Sequence, residues 1–261
     1  MSTTATTNDD EGGTVPARDD VGDADAALVA GEAPPSRSQR LSRERVVEAA
    51  LAHIDANGLA GLSMRRLGSD LGVEAMALYR HVAGKEELLD AIVEHLMATM
   101  WADEEIKQQP VHGWQDFLQR LAHGVRRVAL AHPQAFPLVA SRPTEAPWLR
   151  PPLRSLDWVE VFLRGLTDEG FTDEAAVAAY RAFTSFLLGH LLLEVSIRGA
   201  DVGPLDVLEP AEHDPSALDP FPLVRRLRPG LSDDRSAVEF EESLESLLDR
   251  LTLVRTEHLE R

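Results

Sequence analysis

Ala75, Met76, Tyr79 and His81 lie within Glu74 to His81 and can share the outer face of a helix about two turns long. A short helix with small and hydrogen-bonding side chains near its start suits the DNA major groove. A second candidate pair is His190 and Glu194, four apart on one helix and so able to share a metal. No third ligand is placed by the sequence, and an ordinary polar contact is the plainer reading. No G-x-S-x-G, H-E-x-x-H or phosphate-binding glycine loop is present, and serine, histidine and aspartate form no recognisable constellation. No enzyme, cofactor or metal is expected.

The outer face at Met76 needs a scaffold, and the flanking residues supply one. Ser63 can cap a helix by accepting an orphan amide. Leu67 and Leu71 fall four apart on its inner face, and Gly72 can stop it with a positive φ. Val73, Ala77 and Leu78 can then turn inward on the second helix. Ahead of this pair, Ser42 to Asn57 reads as a helix with Val46, Val47, Ala50, Leu51 and Ile54 as its buried stripe, ended by Gly58. It completes a three-helix unit. Lys85 to about Ala102 is a fourth helix, with Leu88, Leu89, Ile92, Val93 and Leu96 apolar. It leaves the unit and enters the rest of the chain.

The run LSMRRLGSDLGVEAMALYRHVAGKEELLDAI resembles the helix-turn-helix of the tetracycline-repressor (TetR) family of bacterial regulators, in a match without gaps from about Leu41 to Met97. Its most specific parts are G-L-S-M-R-R-L, the L-G-V turn, and L-Y-x-H-V-x-x-K followed by E-E-L-L. The resemblance implies that Arg65 meets a phosphate or a guanine edge, which arginine matches bidentately. It implies base reading by Ala75, Met76 and Ala77, and phosphate contacts by Tyr79, His81 and Lys85. Met64 and Arg80 are minor contacts. Where the family's type member has a glutamine and a proline, Ala75 and Met76 stand here, so base reading is apolar and the operator differs. The plainer alternatives are a surface ion pair of Arg65 with Asp70 and a half-buried packing role for Tyr79.

A net charge of −18 opposes DNA binding only if it is spread evenly. From Ser36 to Lys85 eight basic residues face five acidic ones, so the acidic excess lies elsewhere. Phosphate attraction acts locally, within about 8–10 Å at ordinary salt. Residues 1–35 are rich in Thr, Asp, Gly, Ala and Pro and read as a disordered acidic tail. Residues 36–41 form a basic arm. Arg37 and Arg40, with Arg43 just beyond, either enter the minor groove or remain a solvated linker. The absence of cysteine excludes disulfides and thiol catalysis. No apolar run reaches the ~18 residues of a membrane span, and no secretion signal opens the chain, so a cytoplasmic protein without membrane contact is expected.

From Gly113 onward the chain reads as helical. The expected helices are Gly113 to His132, a short apolar piece at Ala135 to Val139, Leu153 to Glu169, Thr172 to Arg198 and Asp233 to His258. Asp103 to Val111 and the proline-rich Ser141 to Pro152 break the pattern. Gly199 to Pro220 is an acidic loop, and Phe221 to Leu227 can form one turn. W-Q-D-F-L at Trp114, S-R-P-T-E at Ser141 and E-G-F-T at Glu169 resemble the regulatory domain of the tetracycline repressors, in the same order. That resemblance implies a homodimer built on the helices Thr172–Arg198 and Asp233–His258. It also puts Leu138 where those repressors have a metal-binding histidine, and Leu121 and Val125 where an asparagine and a phenylalanine meet the drug. A magnesium–tetracycline chelate is therefore not the expected effector, and a larger apolar molecule is. The candidate lining is Trp101, Leu121, Val125, Ser141, Arg142, Trp158, Phe186 and His190, with ordinary core packing as the alternative for each aromatic.

The expected architecture is all-α, with a helix-turn-helix DNA-binding domain over 42–100 and a helical effector-binding and dimerisation domain over 101–261. The expected function is a ligand-responsive repressor. Two heads would read a palindromic double-stranded operator, and a small-molecule effector would release them, with control of an exporter as a family-typical role. The alternative is a ligand-binding helical adaptor that does not read DNA sequence.

Overall fold

Serine and threonine caps start four of the helices. In the computed structural model Ser42 Oγ accepts from Arg45 N (3.2 Å), Ser63 Oγ from Arg66 N (3.3 Å), Ser155 Oγ from Trp158 N (3.3 Å) and Thr172 Oγ1 from Ala175 N (3.3 Å). The structure describes residues 41–102, 112–142, 149, 155–202 and 218–259. The tail, Arg37 and Arg40 of the arm, and most of the expected loops at 103–111, 141–152 and 199–220 lie outside the described residues.

Ten α-helices and no strand occur among the described residues. They are α1 (Arg43–Asn57), α2 (Met64–Asp70), α3 (Ala75–Leu78), α4 (Lys85–Ala102), α5 (Trp114–Ala131), α6 (Pro137–Ser141), α7 (Leu156–Thr167), α8 (Asp173–Ile197), α9 (Pro222–Leu231) and α10 (Ser236–Leu259). The expected stripe of α1 is buried, and so are all five apolar residues expected of α4. Each valine, leucine or isoleucine among them contributes about 1.5–3 kcal/mol on burial. Helix α1 packs on α4 and α2 on α3, which forms the head. In the body, α8 packs on α5, α7 and α10. Its buried residues include Ala175, Ala179, Phe183, Leu187 and Leu191 at helical spacing.

Three expectations needed correction. Helix α3 is one α-turn rather than two, because Arg80 N and His81 N bond three residues back, to Ala77 O and Leu78 O, and tighten the chain. Helix α9 runs ten residues rather than one turn and continues through Pro229, although proline cannot supply the bond its position needs. The 3–4 spacing of apolar residues puts Leu156 and Val238 on the inner sides of α7 and α10, but both are exposed. Helix α8 is long and apolar enough to cross a membrane by length and composition, but one side of it is buried in the body's core.

Candidate nucleic-acid interface and effector cavity

The turn between α2 and α3 is set by two glycines. Gly72 adopts φ 67°, which non-glycine residues rarely reach, and so reverses the chain. Gly68, buried in α2, lies so close to the next helix that a Cβ there would sit 2.8 Å from Val73 O and 3.1 Å from Ala75 N. Gly68 O also accepts from Val73 N at 2.9 Å. Leu67 and Leu78 are fully buried beneath the turn.

This packing leaves one side of α3 outward. Met76 is 71% exposed and Tyr79 45%, while Ala75, Ala77 and His81 are half-buried. Arg65 and Arg80 are exposed. Asp70, the alternative partner of Arg65, instead bonds His53 Nδ1 at 2.6 Å. Lys85 Nζ donates to Leu62 O at 2.9 Å and so ties the start of α4 to the entry of α2. Arg43 lies 3.4 Å from Glu94. Glu44, at the start of α1, is held below the usual carboxylate range by its backbone amide and the Ser42 hydroxyl, with Arg43 and His81 adding to the effect. Met64 is 9% exposed and packs in the core, so its side chain offers no groove contact.

The body encloses an apolar cavity between α4 and the helices α5 to α8. Met97, Met100, Val125, Val139, Trp158, Phe162, Phe183, Thr184, Leu187 and Leu188 line it, around about 20 Å³ of free space. That is room for one water, whereas a drug-sized ligand needs about 300 Å³ or more. A ligand of that size could enter this cavity only by parting its walls. No lining residue is charged, and Thr184 supplies the one hydroxyl. Thr184 bonds Tyr180, whose own hydroxyl burial pushes up to about 12.

Of the residues expected to line a pocket, Val125 and Trp158 do so. Leu121 is buried but does not reach the cavity. Phe186 and His190 pack around Phe240 of α10, with ring centroids 5.9 Å and 5.3 Å away. Ser141 is exposed at the end of α6. The side chain of Trp101 lies outside the described residues. Arg142 faces the head, where Nε and Nη2 donate to Asp90 Oδ1 (2.9 and 2.7 Å) and Nη1 to Glu86 Oε2 (2.7 Å). Burial opposes the Arg142 charge, but the bonds to Glu86 and Asp90 outweigh it and raise the pKa.

Sequence reasoning missed Met97 and Met100, which sit at i, i+3 on α4, and Phe183, Thr184, Leu187 and Leu188 on one side of α8. Those spacings mark a buried face, but nothing in them tells a cavity wall from a packed core. The pair His190 and Glu194 is spoken for. His190 Nε2 donates to Ser236 O at 3.2 Å, and Arg126 clamps Glu194 at 2.6 and 3.0 Å. Among the described residues no group of three or more metal-binding side chains occurs.

Residues 46–92 match the family model for bacterial regulatory proteins of the tetR family, and residues 108–254 match the tetracyclin repressor-like C-terminal domain. The chain is 33% identical over 157 residues to the HTH-type transcriptional repressor DrrR1 of Streptomyces coeruleorubidus, covering 59% of this chain and 55% of that protein. It is 34% identical over 156 residues to the class D tetracycline repressor protein of Escherichia coli, covering 59% and 66%. The matched part thus spans less than two thirds of either relative. Among solved structures, a possible TetR family transcriptional regulator from Streptomyces coelicolor A3(2) aligns with a TM-score of 0.64 at 29% identity, over 82% of this chain and all of that one. The Streptomyces coelicolor protein ActR, solved in complex with actinorhodin, aligns with a TM-score of 0.59 at 25% identity, over 81% and 95%.

Proposed function

The chain belongs to the tetR family of bacterial regulatory proteins, and from that premise we propose that it is a homodimeric repressor released from a palindromic operator by a small, largely apolar molecule. The observation that carries the reading is the continuity of α4. Its first turns hold the helix-turn-helix in place, and its last turns, through Met97 and Met100, form a wall of the cavity. A ligand that opens the cavity acts on the same helix that seats the head. Val139 and Thr184 among uncharged neighbours, with Leu138 buried where the resemblance expects a histidine, favour a neutral ligand over a metal chelate. The complex of ActR with actinorhodin makes a bulky organic effector a reasonable first class to test.

A second copy of the chain accounts for apolar surface left open in one copy. Val177, Leu193 and Ile197 on α8 and Leu253 on α10 are exposed, as is every apolar residue of α9. Two heads would then address half-sites about 34–36 Å apart. Release requires the effector to favour the released state. A preference of ~100-fold supplies about 2.7 kcal/mol of coupling, and operator binding weakens the effector by the same factor. The protein acts in the cytoplasm, where its operator lies, and an exporter is one target typical of such regulators.

Fluorescence anisotropy on fragments of the protein's own upstream DNA, against scrambled DNA across a salt series, tests the reading. One fragment should win. Arg65→Ala should then cost about 1–3 kcal/mol and relax base preference, while Tyr79→Ala weakens all sites alike. Equal, salt-steep binding to every fragment, indifferent to both substitutions, would favour the adaptor reading instead.

A further inference from the structure

One side chain of α1 holds both ends of α2. His53 Nδ1 lies 2.6 Å from Asp70 Oδ2, on the last residue of α2, and Nε2 lies 3.2 Å from Gly61 O, ahead of its first turn. A carboxylate and a carbonyl only accept, so the ring makes both bonds when both nitrogens carry a proton. The His53 side chain is 8% exposed, so little water competes for either bond. Gly61 permits the close approach. A Cβ there would stand 3.2 Å from Asn57 Cβ, on the last residue of α1.

The entrance of α2 is held at each of its next residues as well. Arg66 Nη1 donates to the same Gly61 O at 3.0 Å. Leu62 O accepts from Lys85 Nζ at 2.9 Å, and Ser63 Oγ accepts from Arg66 N. Arg65, in the turn so fixed, is exposed and has no side-chain partner among the described residues. His53 also keeps Asp70 from the arginines of that turn. Arg66 stands four residues before Asp70, the spacing of a helical ion pair. An Asp70 released by His53 would therefore draw Arg66 off Gly61 O.

We propose that His53 is the positioning residue of α2, and that it sets the aim of Arg65 on DNA by holding Asp70 and Gly61 O together. A phosphate contact tolerates a small shift of the helix, whereas a bidentate base contact does not, so loss of His53 falls on sequence preference. The consequence for DNA rests on the reading of the head as a DNA reader; the hold on α2 does not.

His53→Phe keeps an aromatic ring and removes both donors. In the full-length chain the ratio of affinities for the preferred fragment and scrambled DNA, measured by anisotropy, should fall about tenfold. Affinity for scrambled DNA and its salt dependence should stay as in the parent. Asp70→Ala should lower the ratio likewise, while Asp70→Asn, which leaves the ring an acceptor, should stay close to the parent. Combined with Arg65→Ala, His53→Phe should fall well short of multiplying, because it acts through that arginine. An unchanged ratio or fully multiplicative effects overturn the proposal. So does an equal fall on both DNAs, which would mark damage to the whole head. His53→Leu serves if the phenyl ring prevents folding.

Hydrogen exchange read by mass spectrometry tests the hold without DNA. In His53→Phe the amides of residues 62–71 should exchange about tenfold faster, while those of the body match the parent. Unchanged exchange over 62–71 overturns the hold on α2. If no fragment is preferred over scrambled DNA, the DNA-reading proposal fails, and the exchange rates still decide the hold.

Discussion

Gly68→Ala is expected to remove sequence-specific DNA binding almost entirely while leaving the body folded. The added methyl would stand 2.8 Å from Val73 O, 3.1 Å from Ala75 N and 3.3 Å from Ala75 Cα. All three are backbone atoms, so no side chain can rotate away and α3 itself must shift. Alanine gains about 1 kcal/mol of helix propensity over glycine, whereas overpacking a tight site costs about 1–3 kcal/mol. The clash offsets the gain, and the head loses up to about 2 kcal/mol in stability. On the proposed reading of the head, the larger effect falls on DNA, because Met76 and Tyr79 leave their register together. Losing one base contact and its neighbouring phosphate contacts weakens binding by on the order of 100-fold. Gly72→Ala is the control. It meets nothing within 4 Å, so it carries the positive-φ strain alone and should leave more of the binding intact. Anisotropy with the preferred fragment, alongside thermal unfolding, compares them. If Gly68→Ala binds as the parent does, the close approach of the two helices is not what positions α3.

Arg126→Ala should be the most destabilising single change in the body. Glu194 has a side-chain exposure of 2%, and Arg126 meets both its oxygens, Nη2 at 2.6 Å and Nε at 3.0 Å. Arg126 also stands 5.1 Å above the ring of Phe240, and its hydrogen bonds to Glu194 raise its pKa against the effect of burial. Without it, the nearest permanently charged cation to the carboxylate among the described residues is Arg198, at 3.9 Å. Leaving one member of a buried pair alone costs about 3–5 kcal/mol. For a chain of this size that corresponds to a fall of about 6–20 °C in melting temperature. Replacing both partners, Arg126→Met with Glu194→Leu, should recover most of the loss, because desolvation of the charges disappears with them. Urea unfolding at fixed protein concentration measures both, since self-association would otherwise shift the apparent stability. A double variant as weak as Arg126→Ala would mean that packing around Phe240, not the stranded charge, accounts for the loss.

Where sequence spacing and structure agree, the cause is local. Ser63 caps the helix it was expected to cap, and Ser42 and Thr172 cap theirs in the same way, because a cap joins a side chain to an amide three residues on. The inner stripes of α1 and α4 are buried as expected, because residues three and four apart necessarily share a helix face. The head's outer residues could be named for the same reason. All of α2, the turn and α3 lies within a short stretch, and the ordered motifs of that stretch carried the family resemblance.

The pocket was legible only in part. Arg142, expected beside a ligand, bonds α4 across 52 residues of chain. His132 reaches Asp55 across 77, and Arg126 reaches Glu194 across 68. Phe186 and His190 found Phe240 rather than the cavity. The sequence by itself determined the order of helices, the helix-turn-helix and the family, because caps, turns and apolar stripes are settled within one or two turns of chain. The tertiary structure alone decided which helix faces meet, whether a buried face closes on a cavity, and which distant charge an arginine finds. Those outcomes depend on how whole helices dock, and helical spacing records which side of a helix is apolar but not what that side will touch.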